Sequence, residues 1–451
     1  MKNKKIWLIM ISVFLLSFNI FLPCVSASTS ISEEWYKTWG ENWMSESGDL
    51  TNRAKTLAID SSDNIYIAGD TEYIDYEAFE DCFSYIRLIK CNSSGIQQWS
   101  RTWNASQFDY CEEIALDSSE DIYLCGSTSW NSAGAGDICL IKYDGSGEEQ
   151  WVRTWGGYTN DIGTGIAIDS SDNIYIVGYT GSFGTGSGDI CLLKYNKSGV
   201  LQWNVTWGGT EGDGGAAIAL DSSDNIYVLG TTSSFGSGLL DICLLKYDSA
   251  GIQQWNTFWG GDKNDFGTDI TIDTFSSIYI TGYTESFGSG GYDICLIKFS
   301  NSGVLQWEKI LGGSANDYGM TLVSDLSNTI YLGGYTNSYG KGQYDLYLAK
   351  YNNSGILLSN QTWGGDHIDL CYAMALDSSG NIYFAGQTNS FGSGGDDMIL
   401  VKVSQDSDEP SDEPTDDTST IAIPGYDSLF MICLICTVSV FLIKRRRKSL
   451  K

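Results

Sequence analysis

Short runs rich in β-branched and aromatic residues, separated by polar turn-formers, recur along the whole middle of this chain. One stretch shows the pattern: "GIAID", "NIYIVGYT", "DICLLKYN" and "VLQWNVTW" are set apart by "DSSD", "GSFGTGSG", "KSG" and "GGYTND". Runs of this length bounded by Gly, Asn, Asp and Ser predict four antiparallel strands. Within the second run Ile174 and Ile176 face one way, Tyr175 and Val177 the other, and both faces are apolar. A sheet buried on two sides needs neighbours on two sides.

The chain supplies those neighbours by repetition. A Tyr recurs at Tyr66, Tyr123, Tyr175, Tyr227, Tyr279, Tyr331 and Tyr383, and a Lys at Lys90, Lys142, Lys194, Lys246, Lys298, Lys350 and Lys402, with a period of 52 after the first unit. Self-similarity at that length means a propeller or a solenoid. Strand order decides for closure. The segment "EEWYKTWG" matches the fourth strand of a unit and "DDMILVKVS" the third, so the first segment completes the last sheet and leaves no open seam. The expected fold class is all-β, a seven-bladed β-propeller of four-stranded antiparallel blades over residues 33–404. The unit "WGG…D…GIAIDSSDNIYIVGYT…GSGDICLLKYNKSGVLQW" resembles the seven-bladed β-propeller (SBBP) repeat family. That resemblance implies a fold and leaves the activity open, since fold does not carry function.

The two ends predict an address. Residues 1–27 have a Lys-rich start, an apolar run from Ile6 to Leu22 and small residues at Val25 and Ala27, which fits a secretory signal, with an uncleaved anchor as the alternative. Residues 405–427 form an acidic Pro/Ser/Thr linker that cannot bury a core. Residues 428–443 are an apolar run of membrane-spanning character, and 444–451 a basic tail expected to stay in the cytoplasm. The stretch "IPGYDSLF…RRRK" resembles the C-terminal sorting signals of archaeal and bacterial surface proteins. A single span would hold the protein to the membrane through its C-terminal helix, whereas a sorting signal would exchange that helix for another anchor; both readings predict a cell-surface protein with the propeller outside.

Charge narrows the partners. Nine of the 26 Lys and Arg lie in the two terminal segments, leaving 17 basic against 56 acidic residues between them. Such a surface repels nucleic acid, which is excluded as a partner. A single His, His367, leaves imidazole-based metal sites and Ser-His or Cys-His catalysis almost without material, and no cofactor or metal is expected.

Two sets of repeated acids stand out. Asp109, Asp161, Asp213, Asp265, Asp317 and Asp369 open the first strand of successive units; Asp137, Asp189, Asp241, Asp293, Asp345 and Asp397 open the third. Residues present in nearly every blade serve what every blade needs, so both sets are expected to satisfy turn amides and to pair with the recurring Lys. The "DSSDN" segments read as Asx-type turns, and Cys139, Cys191, Cys243 and Cys295 as small buried apolar residues out of bridging range.

Function is sought where the repeat breaks. Two insertions mark the first unit, "GENWMSESGDLTN" and "EYIDYEAFEDCF", and strand order puts both on one face. Trp43, Tyr73, Asp75, Tyr76, Glu77 and Phe79 within them are the candidate binding residues, of a kind suited to a glycan or a protein patch. The same face carries Phe183, Phe235, Phe287, Tyr339 and Phe391, read as local packing. Asn92, Asn196 and Asn352 on the opposite face, and Asn104, Asn204 and Asn360 near the outer strand, fit the N-x-[ST] acceptor pattern. The expected function is a binding scaffold for protein or glycan. The alternatives are a carboxylate-dependent carbohydrate-active enzyme, which would need two acids that do not follow the repeat, and a structural surface-coat component.

Overall fold

The computed structural model describes residues 31–40, 48–75, 82–130, 132, 134–393 and 395–405. The expected signal, linker, spanning helix and tail lie outside them. Among the described residues there are no helices, and no helix is long and apolar enough to cross a membrane. Strand β1 (Ile31–Trp39) is followed by blade 1, made of β2 (Gly48–Ile59), β3 (Ile65–Asp75), β4 (Phe83–Cys91) and β5 (Gln97–Trp103). Blades 2 to 6 follow as β6–β9 (109–155), β10–β13 (161–207), β14–β17 (213–259), β18–β21 (265–311) and β22–β25 (317–363). Blade 7 has only β26 (Asp369–Leu376), β27 (Ile382–Thr388) and β28 (Asp397–Gln405) of its own.

Its fourth strand is β1. The order in that sheet is β1-β28-β27-β26, with Tyr36 opposite Val401 and Trp39 opposite Met398. The first segment thus closes the last blade. Seven apolar clusters, one at each junction between successive blades, show why the ring forms. Ile174 and Ile176 enter the cluster shared with blade 2, and Tyr175 and Val177 the cluster shared with blade 4, all fully buried. The seventh cluster joins Tyr383, Met398 and Leu400 of blade 7 to Leu57, Ile65 and Ile67 of blade 1, with Trp35 and Trp39 packed against it. At roughly 1.5–3 kcal/mol for each fully buried large side chain, these junctions outweigh every polar contact between blades.

Main-chain bonds register the blades. Asp161 N donates to Gly136 O at 2.8 Å, Asp213 N to Gly188 O at 2.9 Å, and across the closure Asn52 N to Asp396 O at 3.1 Å. The recurring "SG…QW" has a packing reason. Each outer-strand Trp lies over the Gly turn of the next blade, Trp151 over Gly199 and, across the closure, Trp35 over Gly95. Gly95 has φ +72°, and a Cβ there would come within 2.6 Å of the indole, so the turn accepts only glycine.

The end of the ring where first strands begin is called here the upper face, and the end carrying the "DSSDN" turns and outer hairpin tips the lower face. On the upper face Asp161 accepts from Thr180 Oγ1 at 2.5 Å, Ser182 Oγ at 2.7 Å and Gly157 N at 2.8 Å, while Asp189 accepts from Thr185 N at 2.8 Å. Both sets of repeated acids therefore satisfy turn groups. Their expected pairing with the recurring Lys is corrected. Strand direction puts each Lys at the lower face, where the turn acid is the partner of four of them, Lys90 with Asp60 at 3.8 Å, Lys142 with Asp117 at 3.6 Å, Lys194 with Asp169 at 3.8 Å and Lys298 with Asp273 at 4.0 Å, while Lys402 meets Glu34 of β1 at 2.9 Å. The turn itself is of the Asx kind, Asp169 Oδ1 accepting from Ser171 N and Asn173 N, with Asp172 at φ +61°. The nine described cysteines are all buried.

Candidate binding site at the channel mouth

The first strand of every blade lines the central bore, and each carries a bulge at the same place, for example between Cys111 and Glu113 and between Gly163 and Gly165. A bulge adds one unpaired residue and re-aims its side chain. The seven extra residues are Lys55, Glu112, Thr164, Ala216, Thr268, Met320 and Tyr372. Thr164 and Thr268 bond alike to the next blade, but the other five differ from them and from one another, unlike the repeated residues around them.

Charge gathers on one side of the mouth. Lys55 Nζ lies 3.2 Å from Glu112 Oε2, and Arg53 reaches Glu72 at 2.5 Å and Asp70 at 3.5 Å. Tyr110 OH donates to Glu72 Oε1 at 3.2 Å. Burial alone would depress Arg53 and Lys55, but the neighbouring carboxylates outweigh it and hold both above their ordinary values. Asp70 has a fully buried side chain, and its Oδ1 has no hydrogen-bond partner. Burial pushes it up to about 6 against the pull of Lys55 and Arg53.

Deeper in the bore stand two acids that do not follow the repeat. Glu113 Oε1 accepts from Thr56 Oγ1 and from Ile114 N, and Asp269 accepts from Ile270 N and Leu322 N, both at 2.7 Å. Each keeps partial access to the bore while protein surrounds it, and burial pushes Glu113 up to about 7 and Asp269 to about 6.

Opposite the charges is a wall of tyrosines from blades 5 to 7. Tyr283 and Tyr318 have centroids 4.9 Å apart, as do Tyr318 and Tyr335; Tyr335 meets Tyr344 at 5.5 Å and Tyr372 at 6.5 Å. Lys55 Nζ sits 6.0 Å from the Tyr372 ring and joins the two halves. A cleft of about 650 Å³ opens over blades 1 and 2, lined by Arg53, Lys55, Glu112, Ser129, Ser132 and Asn160 among others. Trp130 and Tyr158, 41% and 91% exposed, stand one residue from Ser129 and two from Asn160.

The residues singled out in the sequence fall partly here. Trp43, Tyr76, Glu77 and Phe79 lie outside the described residues. Tyr73 and Asp75 end β3, where the two insertions lengthen one ladder: Gly48 pairs with Asp75, Leu50 with Tyr73, and Tyr73 in turn with Phe83. The Tyr73 and Phe83 rings stack at 5.3 Å. This ledge adjoins the cleft, because Ser84 Oγ accepts from Asp109 N at 3.0 Å beside Phe108 and Tyr110. Of the upper-face aromatics, Phe183 packs on Trp155, Phe235 on Trp207 and Phe391 on Trp363, each latching one blade to the next.

Asn92, Asn196 and Asn352 occupy hairpin tips on the lower face, where each side-chain oxygen accepts two turn amides. Asn204 is exposed on an outer strand, and Asn360 donates to Tyr347 OH at 3.2 Å. Asn104, exposed, directly follows Trp103 and so belongs to the upper face. Sequence reasoning missed Arg53, Lys55, Asp70, Glu72, Glu112, Glu113 and Asp269. The signal was the loss of small residues at the bulge: where blades 3 and 4 have Thr164-Gly165 and Ala216-Ala217, blades 1 and 2 have Lys55-Thr56 and Glu112-Glu113.

Fold and mouth together define a closed β-propeller with one polar cleft over an otherwise repetitive ring. The model of the SBBP beta-propeller repeat family matches residues 150–184 and 254–287, and the chain carries repeats of this family. The chain is 27% identical over 139 residues to the regulatory protein FlaEY of Caulobacter vibrioides, covering 26% of this chain and 15% of that one. It is 23% identical over 237 residues to the WD repeat-containing protein L264 of Acanthamoeba polyphaga mimivirus, covering 48% and 15%. The aligned part is thus about 15% of the length of either curated relative. Among solved structures the WD40 domain of Neurospora crassa Pan2 superposes with a TM-score of 0.51 at 9% identity, over 85% of this chain and 97% of that domain. That likeness is one of fold.

Proposed function

We propose that this protein is a membrane-anchored, cell-surface binding module that takes a glycan in the cleft over blades 1 and 2. The observation that carries the reading is the cleft itself, in which paired charges, hydroxyls and an amide converge beside two exposed aromatic rings. Sugars offer hydroxyls to such carboxylates, guanidinium groups and amides, and C–H faces to aromatic rings. The insertions bearing Trp43, Tyr73, Asp75, Tyr76, Glu77 and Phe79 join the ladder beside it in sequence and would extend the contact. Anchoring is supported by the signal-like residues 1–27, the apolar run 428–443 and the basic tail. An array of glycans and cell-surface proteins probed with the propeller tests the partner class. Glu112→Gln and Trp130→Ala should each weaken the best glycan about tenfold, a loss of about 1.4 kcal/mol, in a chain that stays folded. Undiminished binding by both variants would sink the cleft as the site.

One observation favours a second reading, a carboxylate-dependent glycan-cleaving enzyme: Glu113 and Asp269 are acids outside the repeat, in one bore, with raised proton affinities. In that case Glu113→Gln abolishes release of reducing ends from the bound glycan while affinity persists. An unchanged product yield would remove Glu113 from the reaction, and no product from the unaltered chain would leave binding alone.

A further inference from the structure

The lower face divides into two unequal halves. In blades 1 to 4 the fourth turn residue is an acid, Asp63, Glu120, Asp172 or Asp224, and in blades 5 to 7 it is Ser276, Asn328 or Gly380. The acids tie neighbouring turns together: Asp172 accepts from Ser118 Oγ at 2.8 Å, Asp224 from Ser170 Oγ at 3.1 Å, and Asp63 from Ser378 Oγ at 2.8 Å. In blades 5 and 6 apolar side chains enter the turn, although Asn328 still accepts from Thr274 N and Oγ1 and keeps those two turns tied. Phe275 stands where other blades have Ser171 or Ser223, and Leu326 where they have Ser170 or Ser222. These two, which have no apolar equivalent in the turns of the other blades, are 69% and 93% exposed, and the hairpin tips beside them add Val304 and Ile356 at 58% and 60%, as the tips of blades 1, 3 and 4 present Ile96, Val200 and Ile252. Those tips, "SNSGV" and "NNSGI", carry no charge, while blades 2 to 4 have Asp144, Lys197 and Asp248 in theirs. The turn acids that remain, Asp273 and Asp325, are spent on their own turns: Asp273 accepts from Phe275 N and Ser277 N, Asp325 from Ser327 N and Thr329 N.

On a chain of formal net charge −30, an apolar sector without free acids is the place a membrane repels least. It is also beside the point where the propeller's chain leaves. Ile31 and Gln405 pair at the lower end of blade 7, next to blade 6, and Gln405 leads by sequence to the apolar run 428–443. We infer that blades 5 and 6 rest on the lipid bilayer through Phe275 and Leu326, with Val304 and Ile356 at the margin, so that the cleft over blades 1 and 2 faces outward. The inference rests on the proposed membrane tether. A short tether holds the face at high effective concentration, so a contact too weak to recruit the free protein suffices to orient the bound one. It also requires Asn352, whose turn lies in this sector, to carry no sugar, while Asn92 and Asn196 in blades 1 and 3 are free to carry one.

The test uses the full chain in phosphatidylcholine vesicles with brominated acyl chains. A bimane probe is attached at Ser327→Cys beside Leu326, or at Tyr158→Cys on the upper face, with Cys24, Cys433 and Cys436 replaced by Ser. The nine propeller thiols are buried and should not react. Quenching at position 327 should exceed that at 158 at least threefold and fall to the 158 level in Phe275→Ser/Leu326→Ser. Equal quenching at both positions in a chain that stays with the vesicles overturns this inference and leaves the tether standing. A chain that does not stay with the vesicles overturns the tether and this inference with it. A 327–327 disulfide between copies without quenching assigns the face to a second copy and overturns it, as does a glycan on Asn352.

Discussion

Asp169 in the turn below blade 3 and Glu113 in the bore of blade 2 are both carboxylates surrounded by protein, and they have been treated in opposite ways. Asp169 accepts from Ser171 N, Asn173 N, the Asn173 amide and Tyr175 OH, and has Lys194 at 3.8 Å. Burial would raise it, yet these bonds outweigh burial and hold it below the usual carboxylate range. Glu113 accepts only from Thr56 and Ile114, and burial wins, taking it to about 7. The first acid has a counterpart in every other blade, and the second in blade 5 alone, where Asp269 holds the same place after the bulge. The comparison teaches that donors decide the outcome: an acid with a full set of turn donors is held low and locks the ring, while an acid short of donors is left raised by burial, and in the bore such acids occur in only two of the seven blades.

The comparison breaks most violently if the ring is opened. Removing residues 31–39 takes β1 from blade 7, bares the edge of β28 and uncovers the cluster around Trp35 and Trp39. The expected loss is on the order of 5 kcal/mol or more, seen as a collapsed urea midpoint. A midpoint within error of the intact chain would mean that the ring is not latched there.

Acid sharpens the comparison. Glu113, Asp269 and Asp70 have folded values above their unfolded ones, so the folded state binds more protons than the unfolded. Their cost is full above about pH 7 and is relieved as pH falls toward 4, by about 1 kcal/mol per acid after allowance for water in the bore. Asp60, Asp117, Asp169 and Asp221 are depressed, so their stabilisation is present above the unfolded value near 4 and is lost as pH falls below it. Stability measured by urea should therefore rise from pH 8 to about 5 and fall below about 4. A monotonic decline from pH 8 downward would contradict this. A smaller effect is expected of Tyr175→Phe, which removes one donor to Asp169 at 3.0 Å and should cost about 1 kcal/mol with binding unaltered.

Much of the fold was legible because every device in it is written seven times. The alternation at Ile174 to Val177, the turn at Asp169 and the matching of Trp35 to a fourth strand follow from residue types and spacing alone. What lay beyond reach depended on direction in space. The partner of Lys194 is Asp169 and not Asp161, which only the run of the strands decides. The bulge that turns Lys55 and Glu112 into the bore shows in the sequence only as a loss of small residues at one place in the repeat, and the influence of Asp269 on Glu113 across the channel exists only once the ring is closed. Of the insertions of the first blade, the described part is the ladder that pairs Gly48 with Asp75 and Leu50 with Tyr73 at the upper end of β2 and β3.

The most direct test sets the two acids side by side, as unfolding free energies of Asp169→Asn and Glu113→Gln at pH 7.5. Asparagine cannot accept from Tyr175 and Asn173 at the position of Oδ2, so Asp169→Asn should lose about 2–4 kcal/mol. Glutamine keeps the oxygen that Thr56 and Ile114 contact and removes a buried charge, so Glu113→Gln should gain about 1 kcal/mol. Losses of similar size in both would contradict the division between acids that hold the ring and acids held in reserve.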